Sequence, residues 1–349
     1  WRSQMPRDSL QPSCIHAGVR RLSRASVALL TTAACGPSVP PAKPCSDSPP
    51  LKDYDVATEP LPTYEEYKLE ADVTVKSVAP PQGAGRSLAG CLPKTPAVDL
   101  SAFDTPIKNQ AGGRCSAYGL VAAMENKANQ LGVSLSNTCE GNRPAKVNLS
   151  ETHQFWTQGF AFDSRVAVEK AVEFPIMEER YWREDNYRGL LRKLRHRLFG
   201  RPEKGNFSGL FLSKVRQIHN GSAFGTASTS EICETLHELE EKNPVYLALS
   251  LNSSLYAMDS PVDPAPRPTN GHAVSIVGYT LNGHAPEKGY FLLKNSWGEK
   301  RGRSDVAVPP GYQALPFQYC LSEGHYCGFW SVQEVAKKSI EWDGNHPKK

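Results

Sequence analysis

The chain has 349 residues, enough for one large or two small domains around a real hydrophobic core. Its 40 basic and 36 acidic side chains nearly balance, leaving a formal net charge of +4. No window approaches the roughly eighteen consecutive apolar residues of a membrane-spanning helix, so no segment reads as one. There is neither a CxxC pair nor a cluster of histidines, so no metal is expected, and nothing points to a cofactor.

In chain order, Arg20, Arg21 and Arg24 precede a short apolar stretch, residues 25–34, and then Cys35. A basic stretch, a short apolar run and small residues describe an export signal. Small residues directly before a cysteine are similar to a bacterial lipoprotein signal, which implies Cys35 as the lipidated residue and a membrane tether. Residues 1–35 are therefore read as a leader, with Val19 as a candidate start. Residues 36–95, rich in Pro, Ser and Ala, read as a disordered tether. Residues 96–345 form the folded domain and 346–349 a tail. For an exported protein nucleic acid is not an expected partner.

Helical periodicity begins at Cys115, where Tyr118, Val121, Met124, Ala128 and Leu131 recur at spacings of three and four, and Gly132 suits the residue past the helix end. Cys115 then lies at a helix N-terminus, where unpaired N–H groups favour a thiolate. Gly112 and Gly113 let the preceding loop turn sharply. Gln110, before that loop, fits a donor to an oxyanion beside the Cys115 N–H. Ser150 is a sound N-cap for a second helix. Arg188, Arg192, Lys193, Arg195, Arg197 and Arg201 are interleaved with leucines on one helical stripe, which reads as a solvated helix packed by its leucines. A short helix, a break at Pro244 and a strand over residues 245–249 follow.

His272 opens the apolar run 273–279, a buried strand, and residues 290–294 read as its hairpin partner through Asn282-Gly283. Two paired strands can set His272 beside Asn295 despite their separation in sequence. The chain holds nine cysteines. Setting aside Cys14 with the leader, Cys35 for lipid and Cys115 for chemistry leaves an even number. These could pair in an oxidising compartment, Cys320 with Cys327 most readily; the others cannot be assigned.

Cys115, His272 and Asn295 in that order, with Gln110 just before the Cys and Asn295-Ser296-Trp297-Gly298 around the Asn, make residues 97–335 resemble papain-like cysteine peptidases. Leu149-Ser150-Glu151 and the Gly311–Tyr319 stretch extend the resemblance, the latter toward bacterial members. The resemblance implies an α+β fold: a helical half led by the Cys115 helix, an antiparallel β half carrying His272 and Asn295, and a cleft between. It implies Cys115 as nucleophile, His272 as its base and acid, Asn295 as orienter of the base and Trp297 as a shield over their bond. It further implies a protein or peptide substrate, a monomer, and a place in the cell envelope or outside the cell. The same acyl-enzyme could serve a peptide ligase, and an inactive binding module of the same fold is the other alternative. The chain departs from the pattern in three places. The loop from Gln110 to Cys115 is one residue shorter than in papain, Ser116 stands where the family has Trp, and the paired glycines of the opposite wall are not evident, Gly159 being a weak candidate.

Overall fold

The computed structural model describes residues 93–110, 113–135, 139–140, 143–144, 146–159, 163–182, 204–219, 225–282, 288–300, 302 and 304–342. All belong to one of the chain's two compact units, Cys45–Lys349. The leader with Cys35, most of the tether, the basic stripe 188–201, Gly112 and the tail 346–349 lie outside the described residues. The last residues read as tether are in fact docked. Thr95 donates its backbone N–H to Glu240 at 2.8 Å, and its hydroxyl lies 3.1 Å from that of Tyr279.

Helix α1, Cys115–Gln130, is the longest helix among the described residues. Tyr118, Val121, Met124 and Ala128 are buried along it, as the spacing predicts. Leu131 departs from the pattern: the helix has ended, the chain turns through Gly132 at φ +64°, and Leu131 is 52% exposed. Helix α2, Glu151–Thr157, starts on Ser150, whose hydroxyl accepts from the His153 N–H at 3.0 Å. Helix α3, Ser164–Glu173, is capped in the same way by Asp163.

The β half is one antiparallel sheet. Its strands are β1 (Ala97–Asp99), β4 (Ile176–Met177), β5 (Gly205–His219), β6 (Val245–Leu251), β7 (Asn270–Thr280), β8 (Tyr290–Lys294), β9 (Tyr312–Pro316) and β10 (Cys327–Trp342). They run in the order β4-β5-β10-β6-β7-β8-β9, with β1 on the far end of β7. A two-stranded ribbon of β2 (Cys139–Glu140) and β3 (Arg143–Pro144) stands apart. Helix α4, Thr229–Glu240, precedes β6 across the Pro244 break and carries a capping box of Ser228 and Glu231. Two short helices follow, α5 (Ser253–Tyr256) and α6 (Phe317–Leu321). The pairing of β7 with β8 puts Ser275 opposite Lys294, as the hairpin reading expects. Strands β5 and β10 pair from Gly205–Trp342 to His219–Phe329, with bulges along the way. Their mixed polar and apolar pattern gave no comparable signal.

Every residue of β6 is buried, because the sheet is covered on both faces. Leu247, Leu249, Val274 and Phe329 pack into one core with Trp297 and Tyr319. Tyr246, Ala248, Ala273 and Trp330 pack into the other with Cys115, Leu120 and Met124 of α1. The α+β architecture of a helical half against an antiparallel half is therefore the one observed. Helix and sheet meet most closely at Gly119, where a Cβ would stand 2.8 Å from Val274 N and 2.9 Å from the Ala273 carbonyl carbon. The Cys320–Cys327 disulfide is present, with 5.5 Å between α-carbons, and Cys233 is disulfide-bonded as well.

Candidate active site

Cys115 is the first residue of α1, buried and outside any disulfide. One helical turn later, Gly119 touches the backbone of Ala273 and Val274. That contact is possible only without a side chain, and it holds the start of α1 against the start of β7, where His272 stands. Hydrophobic packing on one helix stripe and one sheet face thus positions both groups.

His272 is 3% exposed. Its Nε2 lies 3.0 Å from Asn295 Oδ1. Asn295 orientation is settled by its own bonds: its Nδ2 donates to Gln313 Oε1 at 2.6 Å, and its Oδ1 accepts from the Ser296 N–H at 2.7 Å. The bond from His272 is therefore Nε2–H donating to Oδ1, which leaves Nδ1 with the lone pair. Nδ1 is buried and has no hydrogen-bond partner among the described residues. Trp297 stacks on the imidazole with ring centres 4.2 Å apart and covers this bond. Burial pushes the His272 pKa down to about 4, with the Asn295 bond only partly opposing, so the ring rests neutral. A neutral imidazole with a buried, unspent lone pair can accept a proton.

Gln110 is buried, its N–H bonded to Ser296 O at 2.7 Å and its Oε1 accepting from Ser296 Oγ at 2.6 Å. The Ser296 contact assigns the carbonyl end of the amide, so Nε2 is its donor end. A bridge between Asn109 and Trp297, and a bond from Gly298 N–H to Lys108 O at 3.1 Å, tie this loop to the segment carrying Asn295. Gly113 is described and half-buried; Gly112 lies outside the described residues. Ser116 Oγ accepts from Gln158 Nε2 at 2.8 Å, so a hydrogen bond to the end of α2 occupies the place of the family's Trp. Gly159 is exposed, in the left-handed region at φ +69°.

Behind α1 lies a buried charge cluster. Lys108 bonds to Glu125 at 3.0 Å, to Glu151 and to Glu179 at 3.5 Å. Burial works against its charge, yet the three carboxylates hold its pKa well above the usual lysine value. Burial pushes Glu151 up to about 8 against the pull of Lys108, and Glu179 and Glu125 push it further. Lys294, the residue before Asn295, donates to Thr105 O at 2.8 Å. Thr105 in turn donates to Glu125 on α1 at 2.5 Å. The cluster ties the strand that leads into Asn295 to the helix bearing Cys115 through Thr105.

Sequence reading missed Gln313, which orients Asn295 and is itself held by the carbonyl oxygens of Leu255 and Asp259 at 3.0 and 3.3 Å. A glutamine directly before the apolar segment Ala314-Leu315-Pro316-Phe317 was the available signal, because buried amides are rarely unpaired. It also missed Tyr326. Its hydroxyl would stand 2.3 Å from a Cβ at Gly271, the residue before His272. Burial first, and then the nearby Cys115 sulfur, push its phenol up.

A profile described as "Papain family cysteine protease" matches residues 208–306, a span that contains His272 and Asn295 but not Cys115. No curated protein matches the chain. Among solved structures, xylellain, a cysteine protease from Xylella fastidiosa, aligns at 17% identity over 74% of this chain and 94% of its own, with a TM-score of 0.49. Digestive procathepsin L 3 of the Tenebrio molitor larval midgut aligns at 17% identity over 69% of this chain and 71% of its own, with a TM-score of 0.46. The bromelain protease from Ananas comosus in complex with the E64 inhibitor aligns at 17% identity over 69% of this chain and all of its own (100%), with a TM-score of 0.43.

Proposed function

We propose that this chain is a cysteine-type peptidase that hydrolyses protein or peptide amide bonds through an acyl-enzyme on Cys115. The observation that carries the reading is the state of His272: its Nε2–H is committed to Asn295 and its buried Nδ1 is uncommitted, at the end of the strand against which the Cys115 helix packs. The profile match over residues 208–306 supports it. His272 Nδ1 takes the proton of the Cys115 thiol, and the sulfur attacks the scissile carbonyl carbon. Gln110 Nε2 and the Cys115 N–H meet the developing oxyanion. The imidazolium then gives its proton to the leaving amine nitrogen, and the C–N bond breaks to leave a thioester. Water adds to that thioester, losing a proton to Nδ1, and the thiol leaves with the proton returned.

Stoichiometric labelling of Cys115 by an epoxide directed at such thiols, together with loss of peptide cleavage in Cys115→Ala at unchanged melting temperature, is the expected result. Cleavage persisting in that variant would falsify the assignment. An added amine acceptor separates hydrolysis from ligation, which would yield the new amide in place of the acid. The reading includes export and membrane anchoring through Cys35, on the signal-like pattern before it. Cys35→Ser should then shift the protein from the membrane fraction to the soluble one, and unchanged fractionation rejects the anchor.

A further inference from the structure

Tyr326 stands directly before β10, in the loop closed by the Cys320–Cys327 disulfide. Its backbone is fixed against β6: Ser250 N–H donates to Tyr326 O at 3.0 Å, and Tyr326 N–H donates to Ser250 Oγ at 3.2 Å. Ser250 pairs with Gly271, and Ala248 with Ala273. Residues two apart on a strand share a face, so the bare α-carbon of Gly271 lies on the face that carries Ala273. Ala273, Ala248 and Tyr246 pack in one cluster with Cys115, so this is the side of the sheet on which the nucleophile lies. The place a Gly271 side chain would occupy is taken by the Tyr326 hydroxyl, 2.3 Å from the ideal Cβ, with the ring carbon bearing it at 3.6 Å. The phenol of a half-buried tyrosine thus fills the sheet surface at Gly271, close to Cys115.

We propose that Tyr326 is a specificity-determining residue: its ring closes the sheet-side wall of the cleft beside Cys115, so that the substrate side chain lying over that wall must be small. The inference rests on the peptidase reading above. Ala248 and Ala273 are buried beneath this wall and Gly271 is half-buried, so the space that Tyr326 denies to substrate is apolar, and Tyr326 limits the length of the side chain that lies there. Gly271 and Tyr326 are one device, because a side chain at the first cannot coexist with the hydroxyl of the second.

The test is a peptide series in which Ala, Val, Leu or Phe is placed in turn at each position on the acyl side of the scissile bond. Wild-type protein should disfavour Leu and Phe at one position by about ten-fold or more in kcat/KM, in line with what a methylene or two decides in a closed pocket. Tyr326→Ala should abolish that discrimination at the same position, mainly by lowering KM for the bulky peptides, while Tyr326→Phe keeps it. An unchanged profile in Tyr326→Ala, or no position of discrimination in wild type, overturns the proposal.

A double-mutant cycle covers the case in which Tyr326→Ala does not fold. Gly271→Ala should lower kcat/KM for the small-side-chain peptide by about ten-fold, and little or none of that loss should remain in the Tyr326→Phe background, where the nearest atom is an ordinary contact away. Equal loss in both backgrounds removes the contact on which the inference stands. Wild-type protein that cuts nothing and whose Cys115 takes up no epoxide defeats the peptidase reading itself, and the inference with it.

Discussion

At the scale of single residues, the site is a chain of orientation running Gln313, Asn295, His272. Gln313 fixes which end of the Asn295 amide faces the imidazole, and Asn295 fixes which ring nitrogen keeps the lone pair. Asn295→Ala should lower kcat by roughly 10–10²-fold, less than His272→Ala, because in the proposed mechanism it orients the base without touching substrate; general acid–base catalysis itself is worth about 10²–10⁴-fold. A loss equal to that of His272→Ala contradicts the orienting role. Gln313→Ala should cost less again, since Ser296 N–H still bonds Asn295 Oδ1. Gln110→Ala should lower kcat by roughly 10²–10³-fold with little change in melting temperature. A silent Gln110→Ala, with Cys115 still labelled, assigns the oxyanion to another donor.

At the scale of elements, the site depends on the distance between α1 and β7. Gly119 lets the helix backbone lie on the strand backbone, and the three nearest atoms its Cβ would meet are main-chain atoms that cannot rotate away. Gly119→Ala should therefore push the two elements apart. We expect a destabilisation of about 1–3 kcal/mol, read by urea unfolding, and a fall in kcat beyond what the lost folded fraction explains. An active, fully stable Gly119→Ala would show that this contact does not set the spacing of Cys115 and His272. The N-cap of α2 is a control far simpler in cause. Ser150→Ala removes one cap bond, and with it the bond from Ser150 Oγ to Trp182 O at 2.5 Å, so it should cost about 1–2 kcal/mol in stability.

At the scale of the whole molecule, two buried histidines link stability to pH. Burial holds His153 down at about 3 and His272 down at about 4 in the folded protein, against an ordinary value near 6.5. Both are depressed, so the unfolded chain binds protons that the folded chain refuses. Their contribution is complete above about pH 6.5 and is lost as pH falls, toward 4 for His272 and toward 3 for His153. Each amounts to a few kcal/mol at most, by the ~1.4 kcal/mol per unit that links pKa to free energy. Glu151, pushed up to about 8 by burial, acts in the opposite direction as pH falls, so the histidine effect is read as a difference: across pH 7 to 4, chemical denaturation should show His153→Phe losing less stability than wild type, and an equal slope in the two assigns the effect elsewhere. His153 packs among Trp156, Trp182 and Trp342 from α2, the turn after β4 and the end of β10, and no local pattern in the chain announced that cluster. The strands β5 and β10 escaped sequence reading for a related reason. Their alternation is blurred by bulges and by charged residues at exposed positions, so only partner strands identify them. The chain by itself determined what local forces control: the α1 periodicity with its Gly132 end, the Ser150 cap, the apolar runs of β6, β7 and β8, and the order Cys115, His272, Asn295. What only tertiary structure decided are contacts between groups far apart in sequence, namely Gly119 on β7, Gln313 on Asn295, Ser116 on Gln158 and Tyr326 over Gly271. Each is made by a short polar or missing side chain, whose partner is set by three-dimensional packing and leaves no periodic trace along the sequence.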